Sequence, residues 1–520
     1  MTAVLLLVCG ATLVSVLARR VGRSAPLVLV TAGLAASFLP GLPDYHLDPD
    51  LALLVFTPPL VYADARESSY LDLRANARPI GLLSVGLVLA STLAVGLVAR
   101  AVVPGLPWTA AFVLGAILAP TDAGAEVAVA RRLRLPRRIV TILVAESIVN
   151  DATGMTVFRF TVALAAGRAT SLLQGVGEFL YQAGGGVLVG LLLARPAGLL
   201  LRRLDDAVAE NAVSLVVPFA AFALAESLRA SGVLAVLVAG LHLGHRATGS
   251  SHRARLQEAA TWTLVTGVLE AVGFALIGLQ LRPVLRELHA GSDPVLLWYA
   301  GAVLAALLLV RIAWVFPATY LPRLFSARVR ARDPAPPWQY PAAISWAGTR
   351  GVVSLAAAFA VPLDLPRWDL VRFLAFTAVL GTLLLQAPSF PVLVRRLGLR
   401  EHREEHQEAL AEAVAQETAA DAAWSRLQEL IGSGREDPPE PVLERLRDLA
   451  EHRRFSAWER VAADGQPEPP TAAYRRLRRE MLATERGVFV RLRRQGRIND
   501  EVLRRVMHEL DHEEAALARE

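Results

Sequence analysis

The 520-residue sequence predicts an all-α membrane protein with a soluble helical tail, and three observations predict it. Composition is the first: 54% hydrophobic and 20% charged residues, with a mean hydropathy of +0.42. That is too apolar for a chain that must keep its whole surface in water. The uneven placement of charge is the second. Residues 401–520 hold 26 of the 48 acidic and 20 of the 54 basic groups, leaving 22 acids and 34 bases for the first 400. Third, apolar runs long enough to cross ~30 Å of hydrocarbon recur from end to end. The reading is a transmembrane domain over 1–400 and a cytoplasmic tail over 401–520.

About thirteen runs are expected, near residues 2–18, 25–40, 51–65, 79–103, 108–130, 138–165, 171–201, 211–229, 231–244, 262–281, 294–320, 340–361 and 369–394. The eighth and ninth could merge. No basic residue precedes the first run, and Arg19 and Arg20 follow it, the reverse of a cleaved signal peptide, so it is expected to remain as a helix. Arginine placement tests the count. Loops after odd-numbered runs hold 21 arginines, such as Arg131, Arg132, Arg134, Arg137 and Arg138. Loops after even-numbered runs hold seven: Arg100, Arg168, Arg229, Arg282, Arg286, Arg367 and Arg372. Basic residues gather on the cytoplasmic side, so the odd loops are read as cytoplasmic, the N terminus as outside and the tail as inside.

The tail reads as helices between breakers. One runs over 401–431 and stops at Gly432-Ser433-Gly434. A second follows Pro438-Pro439 and ends near Gly465, with Pro467 and Pro469-Pro470 beyond it. A third covers about Thr471 to Arg494, and a fourth starts after Asn499-Asp500, both good N-cap residues. Leu443, Leu446 and Leu449 at helical spacing suggest a small bundle. A solvated charged appendage and a regulatory module are both compatible with it.

All basic residues are arginine, which removes any mechanism that needs a lysine amine. Cys9 is the only cysteine, so disulfides and cysteine-rich metal sites are excluded. An isoelectric point near 9.9 looks like a nucleic-acid signal. The basic excess lies in membrane loops, however, and an acidic tail binds nucleic acid poorly.

Ionisable groups inside spans are costly and point to function. The sixth run carries Glu146-Ser147-Ile148-Val149-Asn150-Asp151. Ser147 and Asp151 lie four apart, on one helical face, whereas Glu146 is turned by roughly 140° from Asp151 at ~100° per residue. One carboxylate can therefore face an aqueous cavity while the other is held in a structural pair. The fifth run reads Ala119-Pro120-Thr121-Asp122-Ala123-Gly124, where proline and glycine break the helix. Freed carbonyls must then face protein or a water-filled cavity, as in the interrupted helices around transported ions. Oxygen ligands of this kind suit a hard alkali cation. The twelfth run reads Ser345-Trp346-Ala347-Gly348-Thr349-Arg350-Gly351. A buried arginine there needs an anionic partner, and Glu146 is the expected one. Its place seven helices after the fifth run suggests two inverted six-helix repeats, spans one to six and eight to thirteen.

Together with Pro58-Pro59-Leu60-Val61-Tyr62, these motifs resemble the bacterial NhaP-type sodium/proton antiporters, relatives of the animal NHE exchangers, in order over residues 1–400. The resemblance implies a homodimeric, elevator-type antiporter of a prokaryotic plasma membrane, serving pH homeostasis. It implies Asp151 as the carboxylate that takes either cation or proton. Asp122, Ser147 and the Thr121 carbonyl would complete or support a Na⁺ site. Asn150 would stand where electrogenic relatives have a second aspartate, implying electroneutral one-for-one exchange. Glu146 and Arg350 would be the structural ion pair. Transported ions would be Na⁺ or Li⁺ against H⁺, with no cofactor; K⁺/H⁺ exchange is the alternative.

Several residues depart from the family pattern. Ala63 stands where some relatives have an acid, and Asp64 next door is an open substitute. Glu126 and Glu270 are extra carboxylates, expected either to tune selectivity or to pair with Arg159 or Arg311. Arg159 is too far along its helix for a direct bond to Asp151, and its role stays open. Histidines of the tail (His402, His406, His452, His508, His512), with His242 and His245, allow a pH sensor or passive surface groups. Two other classes fit less well. An intramembrane aspartyl-type enzyme lacks its Gly-x-Gly-Asp context at Asp122 and Asp151, and a membrane sensor lacks an output domain.

Overall fold

The computed structural model describes residues 2–40, 49–167, 172–204, 206–246, 252–288, 294–399, 402–433, 438–462, 470–495 and 497–519. Arg168, Gly434, Gly465, Pro467 and Pro469 lie outside the described residues, as do the side chains of Arg253, His402, His406 and His452. Among the described residues the regular structure is helical throughout, in two compact units, Met1–Arg400 and Glu401–Glu520.

The first unit contains α1 (Thr2–Arg20), α2 (Ala25–Ala36), α3 (Pro49–Glu67), α4 (Tyr70–Ala75), α5 (Ala77–Gly81), α6 (Val88–Val102), α7 (Trp108–Leu118), α8 (Gly124–Arg132) and α9 (Arg137–Ala165). It continues with α10 (Leu172–Leu201), α11 (Ala207–Ser227), α12 (Gly232–Arg246), α13 (His252–Leu279), α14 (Leu281–Glu287), α15 (Val295–Phe325), α16 (Ala327–Arg332), α17 (Gln339–Trp346), α18 (Val352–Phe359) and α19 (Trp368–Leu397). Eight helical stretches are long and apolar enough to cross a membrane, and Ala25–Ala36, Trp108–Leu118 and Gly232–His245 are shorter apolar helices. The eighth and ninth expected runs stay separate, because Arg229 adopts the left-handed conformation between α11 and α12 (φ 57°).

Helices of the first unit sort into two bundles. One packs α1, α2, α3 and α10 to α13 together; the other packs α5 to α9 with α15, α17, α18 and α19. They meet where α3 lies against α18 and α9 lies against α12. In the first bundle α2 and α13 approach through Gly33 and Gly278. A Cβ on Gly33 would stand 2.5 Å from the Ala275 carbonyl, so close backbone packing requires glycine there.

Between α5 and α6 the chain forms a π-helical turn, Leu82–Leu87. Trp314 of α15 inserts against it and donates from Nε1 to the Leu82 carbonyl (2.9 Å). The turn has a side chain and a hydrogen bond in place of a regular ladder. Its Ser84 hydroxyl reaches the Glu146 carbonyl of α9 (3.3 Å).

The second unit comprises α20 (His402–Gly432), α21 (Glu440–Ala462), α22 (Pro470–Arg494) and α23 (Asp500–Arg519), packed as the pairs α20/α21 and α22/α23. Asn499 caps α23, accepting from the Val502 amide at 2.8 Å. Leu482, Leu510 and Leu517 form the small core of the second pair. Leu446 and Leu449 are exposed, so the leucine spacing of α21 is not a buried core stripe.

Candidate ion site

Two helix breaks cross in the second bundle. The chain is non-helical at Ala119–Ala123, between α7 and α8, and at Ala347–Gly351, between α17 and α18. Each break leaves backbone donors and acceptors without intrahelical partners inside an apolar bundle, where an unmet group costs about 1–3 kcal/mol. The breaks satisfy one another. The Asp122 amide donates to the Thr349 carbonyl (2.8 Å), and the Thr349 hydroxyl donates back to the Asp122 carbonyl (2.5 Å).

Charged side chains complete the repair according to helix polarity. At the start of α8, Asp122 Oδ1 accepts from the Gly124 amide (3.0 Å). Its Oδ2 rests on Gly351 at the start of α18, where an added Cβ would be 1.9 Å away. One aspartate thus serves two half-helix N termini. At the C-terminal end of α7, Arg350 donates from Nε to the Leu118 carbonyl (3.0 Å) and from Nη1 to the Gly348 carbonyl. At the end of α17, Arg311 donates from Nε to the Ile344 carbonyl (3.1 Å) and from Nη2 to the Ala347 carbonyl (2.5 Å).

The expected Glu146–Arg350 pair is therefore corrected. Glu146 takes a two-pronged bond from Arg311, at 2.5 and 3.0 Å, and both side chains are buried. Arg350 lies within electrostatic range of Glu146 and Glu126 but bonds to carbonyls. The guanidinium of Arg311 can meet the carboxylate and the end of α17 at once, because its five donors form a planar fork.

The expected pairing of Glu126 with Arg159 or Arg311 is also corrected. Glu126 is buried, shares the one Thr349 hydroxyl proton with the Asp122 carbonyl (2.8 Å to Glu126) and accepts, at 3.4 Å, from the Thr349 amide. It binds the two breaks together rather than pairing with Arg159 or Arg311. Arg159 bridges to Glu226 of α11 at 2.7 Å, linking α9 to the first bundle.

The remaining predicted residues divide into held and unheld groups. Asn150 donates to the Thr121 hydroxyl (2.7 Å) and the Thr121 carbonyl (3.1 Å), and the Thr121 hydroxyl donates to Glu146 (3.1 Å). The Oδ1 of Asn150 is buried and has no partner. The Asp151 side chain is half-buried and has no hydrogen-bond or ion-pair partner among the described residues; its charged neighbours within range are Asp122 and Asp64. Ser147 is half-buried one turn before it. Asp64 and Glu270 are exposed and lie within range of each other and, respectively, of Arg131 and Arg19 on the arginine-rich side. Among the described residues no three His, Cys, Asp or Glu side chains converge closely enough to hold one metal ion. A cation at Asp151 would need hydroxyl, carbonyl or water oxygens as well.

Arg311, Thr349 and Thr382, whose hydroxyl accepts from the Arg350 amide (3.2 Å), were missed as site residues. Arg311 had a signal: it is the single charge in the run 294–320. The threonines had none. Also missed was the partly buried group in the first bundle in which Arg66 and Glu258 pair and Ser214 bonds to Arg66 (3.2 Å), Glu258 (2.5 Å) and Trp262 (3.1 Å).

The sodium/hydrogen exchanger transmembrane family model matches residues 3–396. The chain belongs to this family. It is thus a multi-pass membrane transporter exchanging cations for protons, with no cofactor, and not an enzyme. An uncharacterised Na⁺/H⁺ exchanger of Mycobacterium tuberculosis is 34% identical to this exchanger over 98% of this chain and 95% of its own. The NhaP Na⁺/H⁺ antiporter of Pseudomonas aeruginosa is 33% identical over 66% of this chain and 80% of its own. Among solved structures, the sodium/proton antiporter MjNhaP1 of Methanocaldococcus jannaschii shares the fold of this exchanger. It does so at 20% identity and a TM-score of 0.60, over 76% of this chain and 99% of that one.

Proposed function

We propose that the chain exchanges one Na⁺ for one H⁺ across a bacterial plasma membrane by competition of the two ions for the Asp151 carboxylate. One observation carries this reading. Glu146 is paired, Glu126 and Asp122 are hydrogen-bonded, and Arg311 and Arg350 cap half-helix ends, whereas the Asp151 carboxylate beside them has no bonding partner among the described residues. A charge kept in mid-membrane without a partner is costly unless an ion fills the role. A proton or a cation neutralises it equally well, so a carrier that moves only when neutralised exchanges the two and moves no net charge.

Ser147 on the same face, Asp122 and the orphaned Asn150 oxygen are the nearest candidates to share the cation. The Thr121 carbonyl already accepts from Asn150, which makes Thr121 a support for the site. Asp64 and Glu270 would line access from the arginine-rich side, read as cytoplasmic. The two helical bundles support an elevator cycle in which the bundle bearing the breaks moves against the other, within a homodimer. Thirteen crossings, counting each broken pair as one, would form two inverted six-helix repeats and leave the N terminus outside and the tail in the cytoplasm as a regulatory module.

The test is reconstitution into liposomes under an imposed pH gradient, with a pH-sensitive dye followed on addition of Na⁺, Li⁺ or K⁺. Wild type should collapse the gradient with Na⁺, and Asp151→Asn should not. An unchanged response in Asp151→Asn would sink the mechanism. A rate that changes with a potassium/valinomycin-imposed voltage would overturn the one-for-one stoichiometry.

A further inference from the structure

Away from the ion site, Arg78 of α5, Arg138 of α9 and Arg323 of α15 converge on a single carboxylate, that of Asp333. Their distances are 2.7, 2.7 and 2.8 Å. Arg78 and Arg323 share Oδ2, and Arg138 takes Oδ1. Three guanidinium groups around one carboxylate leave an excess positive charge, and like charges packed together repel unless a further anion joins them. Arg323 is nearly fully buried, and its remaining donors go to the Asp333 and Thr319 carbonyls. On Arg78 the Nη1 donor is buried and has no partner among the described residues. A buried charged donor left empty costs more than a neutral one, so the cluster as it stands is short of one acceptor.

The surroundings indicate what kind of acceptor it takes. The arginines line a small pocket of about 40 Å³ between α5, α9, α15 and α17, floored by the buried Leu83, Ile142, Val315 and Ile344. Next to Arg323 in the chain, Leu324 and Phe325 are 67% and 84% exposed, and Trp338, between the lining residues Pro336 and Tyr340, is 58% exposed. Aromatic and aliphatic side chains left bare at the end of a spanning helix mark the level where hydrocarbon gives way to headgroups. Basic pockets between helices at that level suit anionic headgroups. A free inorganic anion would satisfy Arg78 but leave the apolar side chains of Leu324, Phe325 and Trp338 uncovered.

We propose that this pocket takes the phosphate of an anionic glycerophospholipid on Arg78, Arg138 and Arg323, with the acyl chains outside it against the exposed Leu324 and Phe325. Asp333 is then the lipid's competitor as well as the cluster's internal counter-ion. The site lies near the ion-site pair, since the Ile344 carbonyl accepts from Arg311 and Ile142 stands one turn before Glu146 on α9.

The full chain, purified in detergent, is titrated with phosphatidylglycerol, phosphatidylcholine, inorganic phosphate and glycerol phosphate while its thermal midpoint is followed. Phosphatidylglycerol should raise the midpoint saturably, and phosphatidylcholine should not. Arg78→Gln and Arg138→Gln should each weaken the apparent lipid affinity about tenfold, the worth of one charge-assisted bond. Asp333→Asn should strengthen the lipid response while lowering the lipid-free midpoint, a combination that a merely structural cluster would not give. The exposed Arg20→Gln should leave the response unchanged. Equal stabilisation by both lipids, a full response in Arg78→Gln, or an equal loss in Arg20→Gln would overturn the site. A saturable response to inorganic phosphate matching that to the lipid would overturn the lipid assignment. If Arg78→Gln does not fold, Arg138→Gln and Asp333→Asn decide the matter, since both act at partly exposed side chains.

Discussion

Arg311→Ala removes the most heavily used side chain of the ion-site bundle. Arg311 and Glu146 are at most 2% exposed at their side chains, and the guanidinium makes four bonds: two to Glu146 and one each to the Ile344 and Ala347 carbonyls. Breaking a buried pair from one side leaves the Glu146 charge uncompensated, a loss of about 3–5 kcal/mol. The two carbonyls at the end of α17 also lose their donor, which pushes the cost toward the upper figure. Domains of 150–250 residues lose about 2–4 °C of midpoint per kcal/mol, and larger units lose less. Arg311→Ala should therefore lower the midpoint in detergent by roughly 6–12 °C and reduce the folded fraction on size exclusion. The decisive assay is a pair of double-mutant cycles. Glu146→Gln with Arg311→Gln should show a coupling of about 1–3 kcal/mol, and Glu146→Gln with Arg350→Gln one near zero. A Glu146–Arg350 coupling equal to or larger than the Glu146–Arg311 value would refute the assignment, because it would place the buried charge of Glu146 on the wrong arginine.

Other perturbations separate structure from transport. Asp151→Asn should abolish cation-dependent proton movement in liposomes while leaving the folded yield within experimental scatter, since the Asp151 side chain has no bonds to lose among the described residues. Gly351→Ala should lose both transport and folded yield, because its Cβ would displace the Asp122 carboxylate from the start of α18. If proton and cation share one carboxylate, the half-saturating Na⁺ concentration should rise about tenfold for each unit the pH falls once the site is mainly protonated; a half-saturating concentration that ignores pH would count against competition. At Asp333, partial burial pushes the carboxyl up, but the bonds from Arg138 and Arg323 outweigh it and hold the group below its ordinary range. A depressed folded value means stability that is present above the unfolded value of about 3.9 and lost as the pH falls through the folded one. Asp333→Asn should accordingly lower the midpoint at pH 7, and its difference from wild type should shrink below about pH 4.

Much of the fold was legible because the determinants are local. Hydrocarbon thickness dictates run length and proline and glycine break helices locally, so α7/α8 could be expected as a broken helix from Pro120 and Gly124, whereas the twelfth run was read for its buried Arg350 rather than for a break at 347–351. The carboxylates were legible for a related reason, since Glu146 and Asp151 are conspicuous in an apolar run whatever surrounds them. Pairing was not legible. Glu146 could have reached Arg350 or Arg311, and sequence spacing carries no information about which arginine stands across a bundle 165 residues away in the chain. Only the crossing of the two breaks decided it: the end of α17 needed donors where Arg311 could give them and still meet Glu146, while the end of α7 took Arg350. The sequence by itself determined that charges would be buried and where α7/α8 would fail. The tertiary structure decided which charges cancel, leaving the Asp151 carboxylate without a bonding partner among the described residues, because hydrogen bonding and burial depend on what lies across the bundle and not on what lies along the chain.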